Sequence, residues 1–208
     1  MIAIMKKMKF SAEDVLKAEA DAILNIPKGN AYGAAVSAIH ASVKAHGFVV
    51  VSGVGKAGDI GQKISSTFNS VGIRSVFLSP LNAAHGDLGI VHTNSVLLVL
   101  SNSGKTDELL ELIALVRNLH RHIKVIAITG NKKSPIANLS NILLHTGNPK
   151  EIGPLGLVPT ASTTTMLVIG DILTVLSMNA RKFSAKEYQK HHHGGYIGKR
   201  AKKLAKRK

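Results

Sequence analysis

Two short segments gather hydroxyls, glycines and a cation in patterns that suit a phosphate. The first, Ser52-Gly53-Val54-Gly55-Lys56-Ala57-Gly58, contains the Gly-x-Gly-x-x-Gly spacing of a dinucleotide loop. A nicotinamide site of that kind also wants an acid about twenty residues on, to hold the ribose hydroxyl. No Asp or Glu stands between Asp59 and Asp87, so a nicotinamide cofactor is set aside. There remains a glycine loop whose backbone amides can approach an anion at a helix start, with Lys56 adding positive charge. The second segment is Ser101-Asn102-Ser103-Gly104-Lys105-Thr106. Its Gly-Lys-Thr is not a P-loop, because that motif needs a glycine five residues before Gly104, where Val99 stands. Ser101, Ser103 and Thr106 on a tight turn can each donate to a phosphate oxygen, while the helix dipole favours negative charge. Capping needs one hydroxyl, so three favour a phosphate cradle over capping alone.

Further along, Thr160, Ser162, Thr163, Thr164 and Thr165 open a long apolar stretch. Thr160 and Ser162 are candidate ligands; the alternative is that these hydroxyls cap the helix or bond within it. Three consecutive histidines stand at 191–193. Adjacent residues on a helix or strand point different ways, which argues against a metal site, and one functional histidine among the three is expected.

The elements that must position these residues are legible as apolar runs. Val-rich or Leu-rich stretches begin at Phe48, Ser75, Val96, Lys124 and Asn141. Each is continuous rather than alternating, as in strands covered on both faces, and most are separated by room for a crossover helix. The expected fold is an α/β/α sandwich of three layers around a five-stranded parallel sheet, preceded by two helices. The first of these starts at a Ser11/Asp14 capping box and ends before Pro27; the second runs from Ala31 to about Ala45. Open sheets of this kind bind ligands beyond the carboxyl ends of their strands, which is where both loops fall. One domain is expected over residues 1–198, with 1–46 its helical N-terminal part and 199–208 a basic tail.

Composition narrows the partners. The chain has 208 residues, no cysteine and a formal charge of +15, with seven Lys or Arg in the last ten residues; without them the charge is +8. A disulfide framework, a zinc-thiolate site and thiol catalysis are excluded, and a cytoplasmic location is expected. The tail reads as a solvated basic terminus or as a tether to an anionic surface. Scarce aromatics and the lack of a helix-turn-helix pattern leave nucleic acid an unexpected partner. The stretch Met166 to Met178 is apolar but carries Asp171 and is short for a bilayer, so it reads as a buried helix, and no membrane association is expected. Lysines in the first ten residues break the apolar core that a signal peptide would need.

Taken together, Gly55-Lys56-Ala57-Gly58, His85-Gly86-Asp87-Leu88-Gly89, Ser101-Asn102-Ser103-Gly104, Glu151 before Pro154-Leu155-Gly156-Leu157-Val158-Pro159-Thr160, and His192 before Gly194-Gly195 resemble one family. That family is the sugar isomerase (SIS) domain of the arabinose 5-phosphate isomerases, and the resemblance runs from about residue 10 to 200 with its motifs in order. It implies interconversion of D-ribulose 5-phosphate and D-arabinose 5-phosphate through an enediol. Such a reaction needs a base near the carbon, a donor for the oxyanion and a grip on the phosphate, and requires no cofactor or metal.

The resemblance also implies roles. It puts an oxyanion or phosphate stabiliser at Lys56, an acid at Glu108, the preferred general base at Glu151 and an acid–base group at His192. His85 is a second histidine candidate, reaching a site shared with a neighbouring subunit of a homotetramer. Substrate contacts are expected from Ser52, Gly53, Gly55, Ser101, Asn102, Ser103, Thr106, Thr160 and Ser162. The alternatives are an exposed salt bridge for Lys56, dipole stabilisation for Glu108 and a structural place for His85. The chain departs from the family pattern at Gly153, Ala161, His193, Leu81-Asn82 and Lys105. The last puts a cation where an acid is usual and leaves another phosphosugar, such as a hexulose 6-phosphate, open. A form without the family's regulatory CBS pair is expected, and with it no control through one. A phosphosugar sensor would keep the anion loops without Glu151 or His192; both are present, which favours catalysis.

Overall fold

The computed structural model describes residues 10–206. The lysine-bearing start and the last two residues of the basic tail lie outside the described residues. Helix α1 (Ala12–Leu24) begins at the expected capping box: Ser11 Oγ accepts from Asp14 N, and the Asp14 carboxylate accepts from Ser11 N. Helix α2 (Tyr32–Lys44) follows. The sheet then forms from β1 (Val49–Gly53), β2 (Ser75–Phe77), β3 (Val96–Leu100), β4 (Lys124–Thr129) and β5 (Ile142–His145). Their spatial order is β2-β1-β3-β4-β5 and every pairing is parallel. The crossovers are α3 (Lys56–Ser70), then α4 (Pro80–Ala84) with a 3-10 turn (Asp87–Ile90), then α5 (Asp107–Leu119) and α6 (Pro135–Leu139). Beyond the sheet come α7 (Ala161–Ala180), α8 (Ala185–His191) and α9 (Gly195–Ala205).

Continuous apolar strands have two buried faces, and the structure uses both. Val49, Val51, Leu98, Leu100, Ile126 and Ile128 pack on the side of α2, α3 and α7; Val50, Leu97, Val99, Val125 and Ala127 pack on the side of α5 and α6. Two separate cores thus share one sheet. β2 is shorter than its apolar run suggests: Leu78 N still donates to Val51 O, but Pro80 opens α4 two residues on.

Helix α7 has 20 residues and is the one helix among the described residues long and apolar enough to cross a membrane; half of that stretch is buried in the protein. By length, then, it exceeds the apolar stretch at 166–178. Its buried residues Ala161, Thr165, Met166, Ile169, Leu173 and Ser177 recur at helical spacing against the core. The domain boundary expected between 198 and 199 falls inside α9, whose Ala201 is buried while Lys199, Arg200, Lys202 and Lys203 are exposed.

Candidate functional site

In this strand order the chain leaves β1 and β3, which are neighbours, towards opposite edges of the sheet. The crevice between their carboxyl ends is where such folds bind ligands. The glycine loop follows β1 and the serine turn follows β3, so the topology brings both candidate anion-binding segments to this end of the sheet.

Glycines shape the first loop in two ways. Gly55 has φ +58° and nothing near its absent side chain, so it serves the turn itself. A Cβ on Gly53 would lie 2.9 Å from the Ala57 carbonyl, and one on Gly58 would lie 2.8 Å from Gly53 O; these two let the helix start close against the strand end. Lys56 is the first residue of α3; its side chain is 71% exposed and its Nζ lies 3.4 Å from Asp59. Ser52, an expected substrate contact, is fully buried, and its hydroxyl donates to the Leu78 carbonyl at 2.7 Å, tying β1 to the end of β2.

In the serine turn, no side chain caps α5 at its N-cap residue, Thr106. Ser101 Oγ instead pairs with Thr106 Oγ1 at 2.8 Å and accepts from Gly104 N at 3.1 Å, while Ser103 Oγ accepts from Lys105 N at 3.2 Å. The hydroxyls therefore hold the shape of the turn and leave the start of α5 without a side-chain cap. Asn102 Oδ1 is buried with no hydrogen-bond partner among the described residues. Glu108, in the first turn of α5, lines a cleft of about 510 Å³ together with Gly53, Gly55, Asp59, Gln62 and Ser79. Asp59, Gln62 and Ser79 are residues that sequence reasoning passed over; Ser79 ends an apolar run, so the strand-end rule that found the other loops points to it as well. A second cleft, of about 630 Å³, lies on the far side of the turn between Ser103, Lys105, Lys132, His145 and Asn148.

Glu151 sits in the loop after β5 as the cap of α7. Its Oε2 accepts from Thr160 N at 2.8 Å, Thr160 Oγ1 at 3.2 Å and Ser162 N at 3.3 Å. Thr160 Oγ1 also accepts from Ile152 N, so Thr160 holds this carboxylate and its loop through its side chain, while the buried Ser162 does so through its backbone N–H. The carboxylate lies at the same end of the molecule as the glycine loop. Gly170 of α7 abuts Ile64 of α3, and Arg181, just past α7, donates to Val71 O and Gly72 O, just past α3; the two helices run in the same direction. Counting back roughly nine residues from the Gly170–Ile64 contact, at about 1.5 Å per residue, puts the start of α7 at the same end of the helix pair as Gly55.

His192 stands at the opposite end. It follows α8, and the preceding His191 places its Nε2 where a Cβ on Gly72 would come within 2.9 Å. Helix α3 has 15 residues, so Lys56 and His192 of one chain are on the order of 20 Å apart. Within a single chain Glu151 and His192 do not meet. The His192 ring stacks on Tyr188, with centroids 3.9 Å apart and planes at 12°. His85, at the end of α4, is exposed. Among the described residues no group of three or more His, Asp or Glu side chains is arranged to hold a metal ion.

Three comparisons bear on this geometry. The sequence model of the SIS domain family matches residues 43–176. The arabinose 5-phosphate isomerase KdsD of Salmonella typhi is 45% identical over 154 residues, which is 74% of this chain and 46% of that protein. Its counterpart in Pseudomonas aeruginosa is 43% identical over 154 residues, 74% of this chain and 47% of its own. The chain thus spans about half the length of the curated relatives it matches. A solved structure from Bacteroides fragilis NCTC 9343, described as a candidate phosphosugar isomerase involved in capsule formation, is 51% identical with a TM-score of 0.86 over 88% of this chain and 96% of that one. The Escherichia coli CFT073 protein c3406, solved in complex with arabinose 5-phosphate, is 28% identical with a TM-score of 0.77 over 88% of this chain and 100% of that one.

Proposed function

Because the chain belongs to the SIS domain family, we propose that it is a phosphosugar aldose–ketose isomerase interconverting D-ribulose 5-phosphate and D-arabinose 5-phosphate. The observation that carries this reading is that the glycine loop and Glu108 share one cleft beside the paired ends of β1 and β3, the strand from which the serine turn leads. In it, the start of α5 and the serine-turn hydroxyls hold the phosphoryl group, and Lys56 turns from Asp59 towards the developing oxyanion. Glu151 moves the proton between C1 and C2, leaving an enediol that collapses to either isomer. Binding the distant phosphate fixes the sugar's reacting end near the base.

His192 and His85 enter from a neighbouring copy, since His192 of the same chain is too far from Lys56. Exposed apolar side chains at Leu16, Leu24, Leu155, Leu157 and Val158 support a homo-oligomer, a tetramer in this reading, that covers them. The reaction needs no cofactor or metal, and the enzyme works in the cytoplasm.

A coupled assay with the purified protein tests the reading, using arabinose 5-phosphate, ribulose 5-phosphate and a hexulose 6-phosphate, run in deuterated water. Deuterium at C2 of arabinose 5-phosphate is the expected result, lost in Glu151→Gln. Turnover of the hexulose alone transfers the activity to that substrate, as the Lys105 departure allows. Binding of every sugar without turnover makes the protein a phosphosugar sensor.

A further inference from the structure

His192 lies just beyond the last turn of α8, with extended backbone (φ −129°, ψ 94°), and the bond from its N to Tyr188 O at 3.1 Å ends the helical ladder. A side chain there has no helix to set its direction, yet its surroundings fix it. The Tyr188 ring lies nearly parallel to the imidazole; Phe183 meets Tyr188 edge-on, with centroids 6.3 Å apart and planes at 90°; and the Arg181 guanidinium lies 5.4 Å from the Phe183 centroid. Arg181 in turn donates to Val71 O and Gly72 O, anchoring the row to the loop between α3 and β2. On the other side, Gly198 of α9 approaches so closely that a Cβ there would stand 2.9 Å from His192 O. The Nδ1 of His192 is buried without a hydrogen-bond partner among the described residues, so packing rather than hydrogen bonding orients the ring.

We propose that Tyr188 is a positioning residue for the isomerisation: its ring face, braced by Phe183 and Arg181, holds the His192 imidazole with Nδ1 turned inward and Nε2 presented to a neighbouring subunit's substrate. The inference rests on the reading of His192 as an acid–base group. It adds that the aromatic face, and not the phenol hydroxyl, is what matters. Removing the face frees the ring about two torsions and costs the orientation that makes proton transfer efficient.

The test compares Tyr188→Phe, Tyr188→Leu and His192→Asn in the full chain. Tyr188→Leu is expected to lower kcat by about ten-fold or more, because misplacement of order 1 Å is enough for such a loss, with KM within about two-fold of wild type. Tyr188→Phe is expected to retain wild-type kcat and an unchanged pH profile. In parallel, proton NMR of the His192 ring is expected to show an upfield ring-current shift in wild type and Tyr188→Phe that disappears in Tyr188→Leu. If Tyr188→Leu does not fold, Tyr188→Met removes the face while keeping bulk. Wild-type kcat in Tyr188→Leu alongside an inactive His192→Asn overturns the positioning role. An active His192→Asn overturns the acid–base reading instead, and an unchanged ring shift in Tyr188→Leu then overturns the positioning as well.

Discussion

The backbone of Gly104 adopts φ +65°, and a Cβ there would collide with the Ser134 hydroxyl and stand 3.0 Å from Thr129 Oγ1. Gly104→Ala is therefore expected to cost about 1–3 kcal/mol in urea denaturation and to weaken phosphosugar binding, since the serine turn must move to admit the methyl. In the same neighbourhood, His145 at the end of β5 has its pKa lowered. Burial first, and the charge of Lys132, push its pKa down against the Gly130 carbonyl bond, which raises it. With Nε2–H donating to Gly130 O, Nδ1 is the acceptor for Gly147 N, a bond that protonation would break. Burial also lowers His40, with Arg181 adding to it. Both folded values lie below the ordinary 6.5, so the unfolded chain takes up protons first. Their contribution to stability is complete above about pH 6.5 and is lost as pH falls through the folded values, so the urea midpoint drops on mild acidification and the drop shrinks in His145→Gln. Not all of this scale can be read from sequence. A serine at a strand end carries no mark that its hydroxyl would reach across its own sheet, as that of Ser52 does to Leu78 O. Glu151 likewise carries no mark that its partners would be Thr160 and Ser162.

Between elements, the tightest seam joins α3 and α7, where Gly170 faces Ile64 with no room for a side chain. Gly170→Val is expected to destabilise by about 1–3 kcal/mol in chemical denaturation. Adding Ile64→Ala is expected to recover part of the loss, because the two sites share one volume and are not additive. The strands and the helices before them were legible because their signals are local: unbroken apolar runs, the Ser11 capping box and the prolines that end or begin helices. The link from β2 to β3 reads poorly, since five residues of α4 and a 3-10 turn stand where a crossover helix is usual. Least legible of all was the placement of α8 and α9, whose packing depends on residues far away in sequence, such as Gly72.

At the scale of the whole molecule, the proposed base Glu151 at one end of the chain and His192 at the other make a prediction that no single-chain site would share. Glu151→Gln and His192→Asn, each inactive alone, are expected to regain part of the activity when dissociated, mixed and reassembled, because mixed assemblies contain sites with one intact group from each copy. Failure to regain any activity, with mixing verified by mass spectrometry, would place both groups in one chain's site or remove one from the reaction.

The two helices that begin at the crevice, α3 and α5, belong to different cores on opposite faces of the sheet. In the proposed reading the phosphoryl group sits at the start of α5 and the reacting end of the sugar beside Lys56 at the start of α3, so one bound molecule would act as a rivet through the three layers. Saturating sugar phosphate should therefore slow amide exchange in α3 and α5 together, on both sides of the sheet at once, and raise the melting temperature in proportion to the logarithm of its concentration.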